Sequence, residues 1–331
     1  MLVITLPPAP LRRRALLSAG MLGLLTACGA AAAHGSRTGR TAGPAAEIDP
    51  DTAVRLRELR ATQALAARYD AALATATPAT ATRLRPLRTQ LTAQLAAFAQ
   101  PGPAGTPSAS PTPTAAPTPT AAPTAAAPSL ADLAAAELAT ARGRAADLLA
   151  ASPALARLIA SVAASGAQRA VLLGGRAPAA VPLPSGGTLP AAALAALQAA
   201  LAAEDAAVYG YGVIGARLDR SGQARATAAL AGHQARGLAL QQRITAAPAT
   251  PAPAAPGYEL PFPVNSAADA VRLAALLEDR LAVVYANGVQ ASAGPLRTAL
   301  ASALRQSALG ALGWSGTGSA FPGLPERGAP H

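Results

Sequence analysis

The spacing of apolar residues constrains the fold of this chain more than any other feature. Apolar side chains recur at steps of three and four in eight stretches, the spacing of amphipathic helices, and no stretch alternates convincingly as a strand would. Ser129 and Ser266 each precede such a stretch and are followed three residues later by Asp, a pattern typical of helix N-caps. The predicted helices cover about residues 51–75, 80–99, 129–150, 152–173, 190–218, 223–246, 266–288 and 295–312.

The eight predicted helices repeat one plan twice. In each half, a pair of helices joined by a short turn is separated by a long connection from a second pair, and corresponding helices begin about 140 residues apart. The long connections are a Pro/Thr/Ala tract over 101–128 and a proline-rich segment over 247–265. A long crossover between two helical hairpins is the topology of ferritin-like bundles. We therefore predict an all-α protein with two ferritin-like four-helix bundles in tandem, each with a long crossover between its second and third helices.

The same patterns set the predicted domain boundaries. The N-terminal bundle is predicted over 49–174 and the C-terminal bundle over 190–324, with a linker over 175–189 and a tail over 325–331. The Pro/Thr-rich crossover has two interpretations. It is either an O-glycosylated extended spacer or a slack connection, tolerated because the entropy of loop closure grows slowly with length.

The N-terminus has the order of a secretory signal. Arg13 and Arg14 belong to a basic cluster, and the apolar stretch that follows is about 11 residues long, whereas a transmembrane helix needs about 20. Cys28, the only cysteine of the chain, ends the run Leu-Thr-Ala-Cys. This run resembles a bacterial lipobox, whose cysteine receives a diacylglycerol and becomes the new N-terminus.

The lipobox resemblance implies a location. Residues 1–28 would be a lipoprotein signal peptide and 29–48 a flexible tether, which places the chain at the outer face of the cytoplasmic membrane as an extracytoplasmic lipoprotein. The predicted partners are the membrane, through the lipid anchor, and an envelope protein that the sequence does not identify. An ordinary cleaved signal with a chance cysteine is the alternative. Arg13 and Arg14 also resemble the twin-arginine export motif, and the general secretory route is the other interpretation.

Composition narrows the classes of function. Of the 331 residues 51% are hydrophobic but only 3% are aromatic, so the core is expected to be thin and closely packed. The net charge is +11, yet the arginines are scattered along the predicted helices without the aromatic residues on which bases would stack. The pattern argues against nucleic-acid binding, and attraction to an anionic membrane surface or wall polymer is a more plausible use of the charge.

Histidines decide the question of a di-iron centre. Such bundles carry Glu-x-x-His on two of their helices, and this motif is absent from the chain. Of the three histidines, His34 lies in the predicted tether and His331 is the last residue, so only His233 lies in a predicted helix. The sequence therefore predicts no ferritin-type di-iron site.

Three polar residues nevertheless fall on inward-facing stripes of the C-terminal bundle. Glu204, His233 and Glu278 each occupy an apolar stripe of a different predicted helix and could converge. One interpretation is a buried hydrogen-bond network that fixes helix register, together with Tyr211, Arg236 and Tyr285. Another is a mononuclear site in which the three side chains bind one transition metal ion. In a third, the helix register keeps them apart.

The N-terminal half offers fewer polar candidates. Five residues fall near its stripes, without a histidine, and are predicted to form polar pairs inside an alanine-rich bundle: Gln63, Asp70, Gln94, Glu137 and Arg144. The sequence shows no Gly-rich phosphate loop and no nucleophile elbow. We therefore predict no catalytic residues and no cofactor.

Four segments of the second half carry a family resemblance. They are 203–216 (AEDAAVYGYGVIGA), 233–236 (HQAR), 258–264 (YELPFPV) and 321–324 (FPGL). Together they resemble the ferritin-like domain of unknown function DUF4439, which occurs in lipoproteins and secreted proteins of high-GC Gram-positive bacteria. The N-terminal half is similar to a diverged copy. The resemblance implies a fold and a location but no chemistry.

The predicted function follows from location and fold. We expect a membrane-anchored extracytoplasmic lipoprotein that acts as a non-catalytic structural or interaction module. The first alternative is a ferritin-like metal-binding bundle with an incomplete, mononuclear site. The second is a carrier that holds a small apolar ligand between its helices.

Overall fold

The structure is a computed structural model that describes residues 50–100 and 126–328. Within these ranges the chain is all-α, with eight α-helices, one short 3-10 helix at Pro325–Arg327 and no strand. The helices are α1 Pro50–Ala74, α2 Pro78–Ala99, α3 Leu130–Ala150, α4 Pro153–Leu172, α5 Ala191–Gly215, α6 Arg220–Thr245, α7 Ala267–Ala291 and α8 Gly294–Ser315. The predictions for Arg13, Arg14, Cys28, the tether, most of the Pro/Thr tract and the last three residues lie outside the described residues.

The N-terminal four helices form the first bundle. The hairpins α1–α2 and α3–α4 pack on each other mainly through α1 and α3. Local sequence sets the helix starts: Thr77 caps α2 ahead of Pro78, and Ser129 forms a capping box with Asp132 at the start of α3. The core of this bundle consists mainly of leucine, alanine and one buried tyrosine, Tyr69.

The C-terminal four helices repeat the arrangement. The hairpins α5–α6 and α7–α8 pack through α5 and α7. Ser266 and Asp269 form the second capping box, at the start of α7. Asp219 accepts a hydrogen bond from the Gly222 backbone at 2.8 Å, so α6 begins three residues earlier than its apolar pattern indicates. The predicted all-α class with two tandem four-helix bundles is confirmed.

The two bundles share one interface, which the sequence did not reveal. Helix α4 packs against both α7 and α8, and its residues are buried on nearly every side. Arg297 at the start of α8 donates hydrogen bonds to the carbonyls of Leu148 and Ala151 at 3.1 and 3.0 Å. Gln168 on α4 donates to the Ala308 carbonyl at 2.6 Å. Polar anchoring at both ends of a shared apolar surface joins the bundles into one compact unit.

One of the described helices, α5, is long and apolar enough to cross a membrane by length and composition. It packs against α6 and α7 and carries the fully buried carboxylate of Glu204. A central core helix of a bundle has the same length, composition and neighbours.

Candidate functional site: a buried ionic cluster in the C-terminal bundle

The side chains of Glu204, His233 and Glu278 meet in the centre of the C-terminal bundle. Glu204 on α5 and His233 on α6 are almost completely buried, and Glu204 Oε2 lies 2.7 Å from His233 Nδ1. On the other side of the imidazole ring, Nε2 lies 3.3 Å from Glu278 Oε1 on α7. This second contact is within ion-pair distance but is not aligned as a hydrogen bond. The imidazole thus lies between two carboxylates.

The Glu204 carboxylate is contacted by more hydrogen-bond donors than any other acceptor of the cluster. Its Oε1 accepts hydrogen bonds from Arg236 Nε at 2.8 Å and from the Tyr285 hydroxyl, while Oε2 faces His233. Three donors from α6 and α7 therefore surround one carboxylate of α5. This arrangement offsets the cost of removing the charge from water.

Glu278 is held by a second chain of hydrogen bonds. The Tyr211 hydroxyl donates to Glu278 Oε1 at 2.8 Å, and Trp314 Nε1 donates to the Tyr211 oxygen at 2.8 Å. The Tyr211 ring also stacks on the His233 imidazole, with centroids 4.8 Å apart. Arg225 lies over the Trp314 ring at 3.9 Å. The sequence analysis did not include Trp314 or Arg225 among the site residues. The one feature that could have drawn attention to Trp314 is that it is the sole tryptophan of the chain.

Gly310 lets Glu278 approach α8 closely. A Cβ atom built on Gly310 would lie 2.4 Å from the Glu278 Cδ, a distance that real Cβ contacts do not reach. The glycine therefore serves for space, since its backbone is ordinary helix. All four helices of the bundle thus contribute to the cluster.

Burial and charge act against each other in this site. Burial raises the pKa of Glu204, but the hydrogen bond from His233 and the charge of Arg236 outweigh burial and hold that pKa below its usual value. Burial lowers the pKa of His233, yet its contacts with Glu204 and Glu278 outweigh burial and leave the pKa raised. The favoured state is therefore an imidazolium between carboxylates. With Arg236, the formal charges of the cluster sum to zero.

One contact conflicts with this protonation state. Arg236 Nη2 lies 2.8 Å from His233 Nδ1, and it could donate there only if that nitrogen carried no proton. The carboxylate of Glu204 needs the proton at the same nitrogen. We favour the imidazolium, because two carboxylates face the ring and only one cation does. The imidazolium and the nearby guanidinium then compete for the same carboxylate.

The first bundle contains a related cluster in the same register. Tyr69 donates to Glu137 at 2.7 Å across 68 residues of sequence, as Tyr211 donates to Glu278 across 67. Glu137 forms a doubly hydrogen-bonded pair with Arg169 on α4, at 2.6 and 2.9 Å, and both side chains are fully buried. The Tyr–Glu pair is thus common to both halves.

The source of the neutralising cation differs between the halves. In the first bundle the cation is Arg169 of α4, the fourth helix of that bundle. In the second bundle the glutamate faces His233 of α6 instead.

A further buried pair in the first bundle corrects the sequence analysis. Arg144 donates to Glu58 at 2.6 Å and to Thr62 at 2.9 Å, and all three residues are buried. Gln63 and Asp70, which were predicted near the inward stripes, are exposed. The predictions were wrong by one position, because Thr62 and Tyr69 point inward and one residue turns a helix by about 100°.

The remaining first-bundle candidates are buried. Glu137 and Arg144 form ion pairs, while Gln94 donates to the Ala320 carbonyl of the C-terminal segment at 2.8 Å. Glu58 and Arg169 were not among the predicted residues. Charged residues are seldom fully buried, so the pattern alone gave no reason to place them inside.

The arrangement of donors bears on metal binding. Within residues 50–100 and 126–328, no group of three or more His, Cys, Asp or Glu side chains is arranged to hold a metal ion. Glu204 and Glu278 face His233 from opposite sides of the ring, so the imidazole itself occupies the space between them. Tyr211 and Tyr285 supply further hydrogens to the carboxylates, and burial together with these carboxylates raises the pKa of both phenols.

Two comparisons with known proteins found a match to the second half of the chain or to part of the chain. The fold and the buried cluster define an all-helical bundle domain. A family model described as a domain of unknown function, DUF4439, matches residues 196–326. A conserved hypothetical protein from Mycobacterium tuberculosis, known from its crystal structure, is 36% identical over 38% of this chain and 97% of its own, with a TM-score of 0.37. No curated protein matches the chain.

Through its C-terminal bundle the chain belongs to the DUF4439 family. The match covers every residue of the ionic cluster from Glu204 to Trp314. The family description names no catalytic activity. The resemblance to DUF4439 drawn from the sequence segments is confirmed for this half of the chain.

Proposed function

We propose that the protein is a membrane-anchored extracytoplasmic lipoprotein whose two bundles form a non-catalytic structural or interaction module. The lipobox-like run ending at Cys28 supports the anchor. The shared interface along α4 supports a single rigid body carried on that anchor. The proposed location is the outer face of the cytoplasmic membrane.

One observation carries the non-catalytic part of the proposal. The two buried carboxylates of the C-terminal bundle are held by donors of the same cluster: Glu204 accepts from Arg236 and Tyr285 and pairs with His233, while Glu278 accepts from Tyr211. Such a network fixes helix register and leaves few lone pairs for a substrate. Its physical role is to hold the helices of the bundle together.

Fractionation of cells tests the anchor. Cys28→Ala should release the protein from the membrane into the medium, because the diacylglycerol has no other attachment site. Ser36→Ala, in the predicted tether, is the matched control and should stay in the membrane fraction. Retention of Cys28→Ala at the wild-type level would contradict the anchor.

Melting and elemental analysis test the structural role of the cluster. In metal-free buffer, His233→Leu should lower the Tm clearly, because both carboxylates lose their partner. Stoichiometric transition metal in the purified wild-type protein, absent from a folded His233→Ala variant, would instead support the alternative metal site with Glu204 and Glu278 as co-ligands.

A second candidate function is that of a carrier for a small apolar molecule. A crevice of about 240 Å³ lies between α6 and α8 beneath the linker that joins the bundles. Its walls are mostly apolar, including Val181, Leu240 and Leu300, and the cluster residues Arg236 and Tyr285 line it. Apolar walls with a few polar groups are typical of ligand pockets, although this volume is below their usual range of about 300–1,000 Å³.

Native mass spectrometry of protein purified from its own membrane tests the carrier role. A bound species that disappears in Ala303→Leu, which narrows the crevice, would support it. Ala228→Leu, at an exposed position of α6, is the matched control and should retain the species. Protein without any bound mass would refute the carrier function.

A further inference from the structure

The helices of both bundles place the start of α1 beside a basic pocket. Asp51 in the first turn of α1 accepts a hydrogen bond from the Ser152 backbone at 2.9 Å, just before α4 begins. Arg55 Nη1 donates to the carbonyl of Gln100, just after α2 ends, at 3.4 Å. Helix α1 therefore begins at the same end of the bundle as the end of α2 and the start of α4.

A pocket with a volume of about 370 Å³ opens at this end of the molecule. Its lining comes from both bundles and from the C-terminal segment, because it includes Arg55 of α1, Gln290 of α7 and Leu324. Volumes of this size suit small organic molecules or lipid headgroups.

The pocket has an excess of positive charge. Arg55, Arg157 and Arg327 line it, and Glu326 is the one acidic residue in the lining. Arg157 pairs with Glu326 and the charge of Arg327 also acts on that carboxylate, so three guanidinium groups share one carboxylate within the lining. The Nε atoms of Arg55 and Arg157 are buried and have no hydrogen-bond acceptor, so these guanidinium groups are incompletely hydrogen-bonded. Three guanidinium groups with one carboxylate in a single lining favour an anionic oxygen group.

The other walls of the pocket are apolar. Leu155, Leu158, Leu324 and two alanines complete the lining. A group that fits both parts has phosphate oxygens for the arginines and a short apolar portion for the leucines. Arginine binds phosphate through paired N–H donors more specifically than lysine does.

We infer that this pocket binds the phosphate headgroup of an anionic glycerophospholipid of the membrane that carries the protein. This inference rests on the proposed function, because the lipid anchor keeps the protein at that surface. The described part of the chain begins at Pro50, and Arg55 of the pocket lining follows five residues later.

Binding of short-chain lipids tests the inference on the full chain in a neutral detergent. The probes are dihexanoyl phosphatidylglycerol, dihexanoyl phosphatidylcholine and inorganic phosphate, with Kd measured by calorimetry. The double variant Arg55→Gln, Arg327→Gln should bind phosphatidylglycerol at least about tenfold more weakly. The pair Arg60→Gln, Arg85→Gln removes the same charge from exposed positions outside the pocket and should stay within about twofold of wild type.

Three results would overturn the inference. The first is an unchanged Kd for phosphatidylglycerol in the pocket variant, and the second is an equal loss of affinity in the control pair. The third is binding of inorganic phosphate as tight as that of phosphatidylglycerol, which would indicate a site for free anions. Glu326→Gln works in the opposite direction, since it removes the only acidic group of the lining and should tighten phosphatidylglycerol binding about threefold. Unchanged or weaker binding in Glu326→Gln counts against the inference even if the arginine variants do not fold.

The experiment separates this inference from the proposed anchor. Lipid affinity in detergent does not depend on acylation, whereas fractionation of Cys28→Ala does not depend on the pocket. Release of Cys28→Ala with unchanged lipid affinity in all variants would leave the anchor standing and remove the headgroup site. Membrane retention of Cys28→Ala with a pocket-dependent Kd would have the reverse meaning.

Discussion

Replacing Glu204 by glutamine is the sharpest test of the buried cluster. The change keeps the size and shape of the side chain but removes the charge that faces His233, Arg236 and Tyr285. The glutamine oxygen can still accept from Arg236 and Tyr285, while its amide would face the imidazole nitrogen donor to donor. Breaking one side of a buried ion pair costs about 3–5 kcal/mol, and the partial exposure of Arg236 favours the lower end of that range.

A loss of about 3 kcal/mol lowers the Tm of a chain this size by roughly 6–12 °C. Thermal and urea unfolding followed by circular dichroism measure the loss. Glu259→Gln makes the same chemical change at an exposed position and should alter stability by less than about 0.5 kcal/mol. If Glu204→Gln melts within 1–2 °C of Glu259→Gln, roughly the scatter of surface substitutions, the cluster does not stabilise the fold as argued.

The pH dependence of unfolding gives the same test with a definite sign. The folded pKa of Glu204 lies below its ordinary 4.5, so its stabilisation is present above about pH 4.5 and is lost as the pH falls through the folded value. The folded pKa of His233 lies above its ordinary 6.5, so its stabilisation is present below about pH 6.5 and is lost as the pH rises through the folded value. The cluster therefore contributes most between about pH 4.5 and 6.5. Glu204→Gln should flatten the acid side of this profile, and an unchanged profile would contradict the assigned charges.

Two further substitutions test the close contacts in each bundle. Gly310→Val should destabilise the fold by about 1–3 kcal/mol in urea unfolding, because the new side chain collides with Glu278. Gly143→Ala has open space around its Cβ and should stabilise the fold by about 0.5–1 kcal/mol. Equal effects of the two substitutions would contradict the steric argument. Arg169→Met should lower the free energy of unfolding by about 3–5 kcal/mol, because Glu137 stays buried without its partner. Adding Glu137→Leu in a double-mutant cycle should restore most of that loss, whereas additive effects would show that the pair is not coupled.

The sequence predicted the helices well because their signals are local. Periodic apolar residues, the two Ser–Asp capping boxes and the proline-rich connections all act within a few residues of the position that they specify. The largest errors were at helix ends, such as the start of α6, where the cap at Asp219 lies outside the apolar pattern.

The sequence identified candidate residues of the cluster but not the contacts among them. Periodicity placed Glu204, His233 and Glu278 on inward stripes and left open whether they meet. Their partners depend on the relative rotation and axial shift of four helices, which no single helix encodes. The same limit explains Arg169, which is fully buried because α4 lies between the two bundles and is buried on nearly every side.

For the described residues, the sequence by itself determined the elements: eight helices, their order, the repeated plan and three polar residues on inward stripes of the second bundle. Only the tertiary structure decided which charges neutralise each other, that α4 joins the two bundles, and that three arginines distant in sequence line one pocket. The physical reason is the range in sequence over which each interaction acts. Backbone hydrogen bonds and caps act over three or four residues, whereas side-chain pairing and burial depend on helices more than a hundred residues apart in sequence.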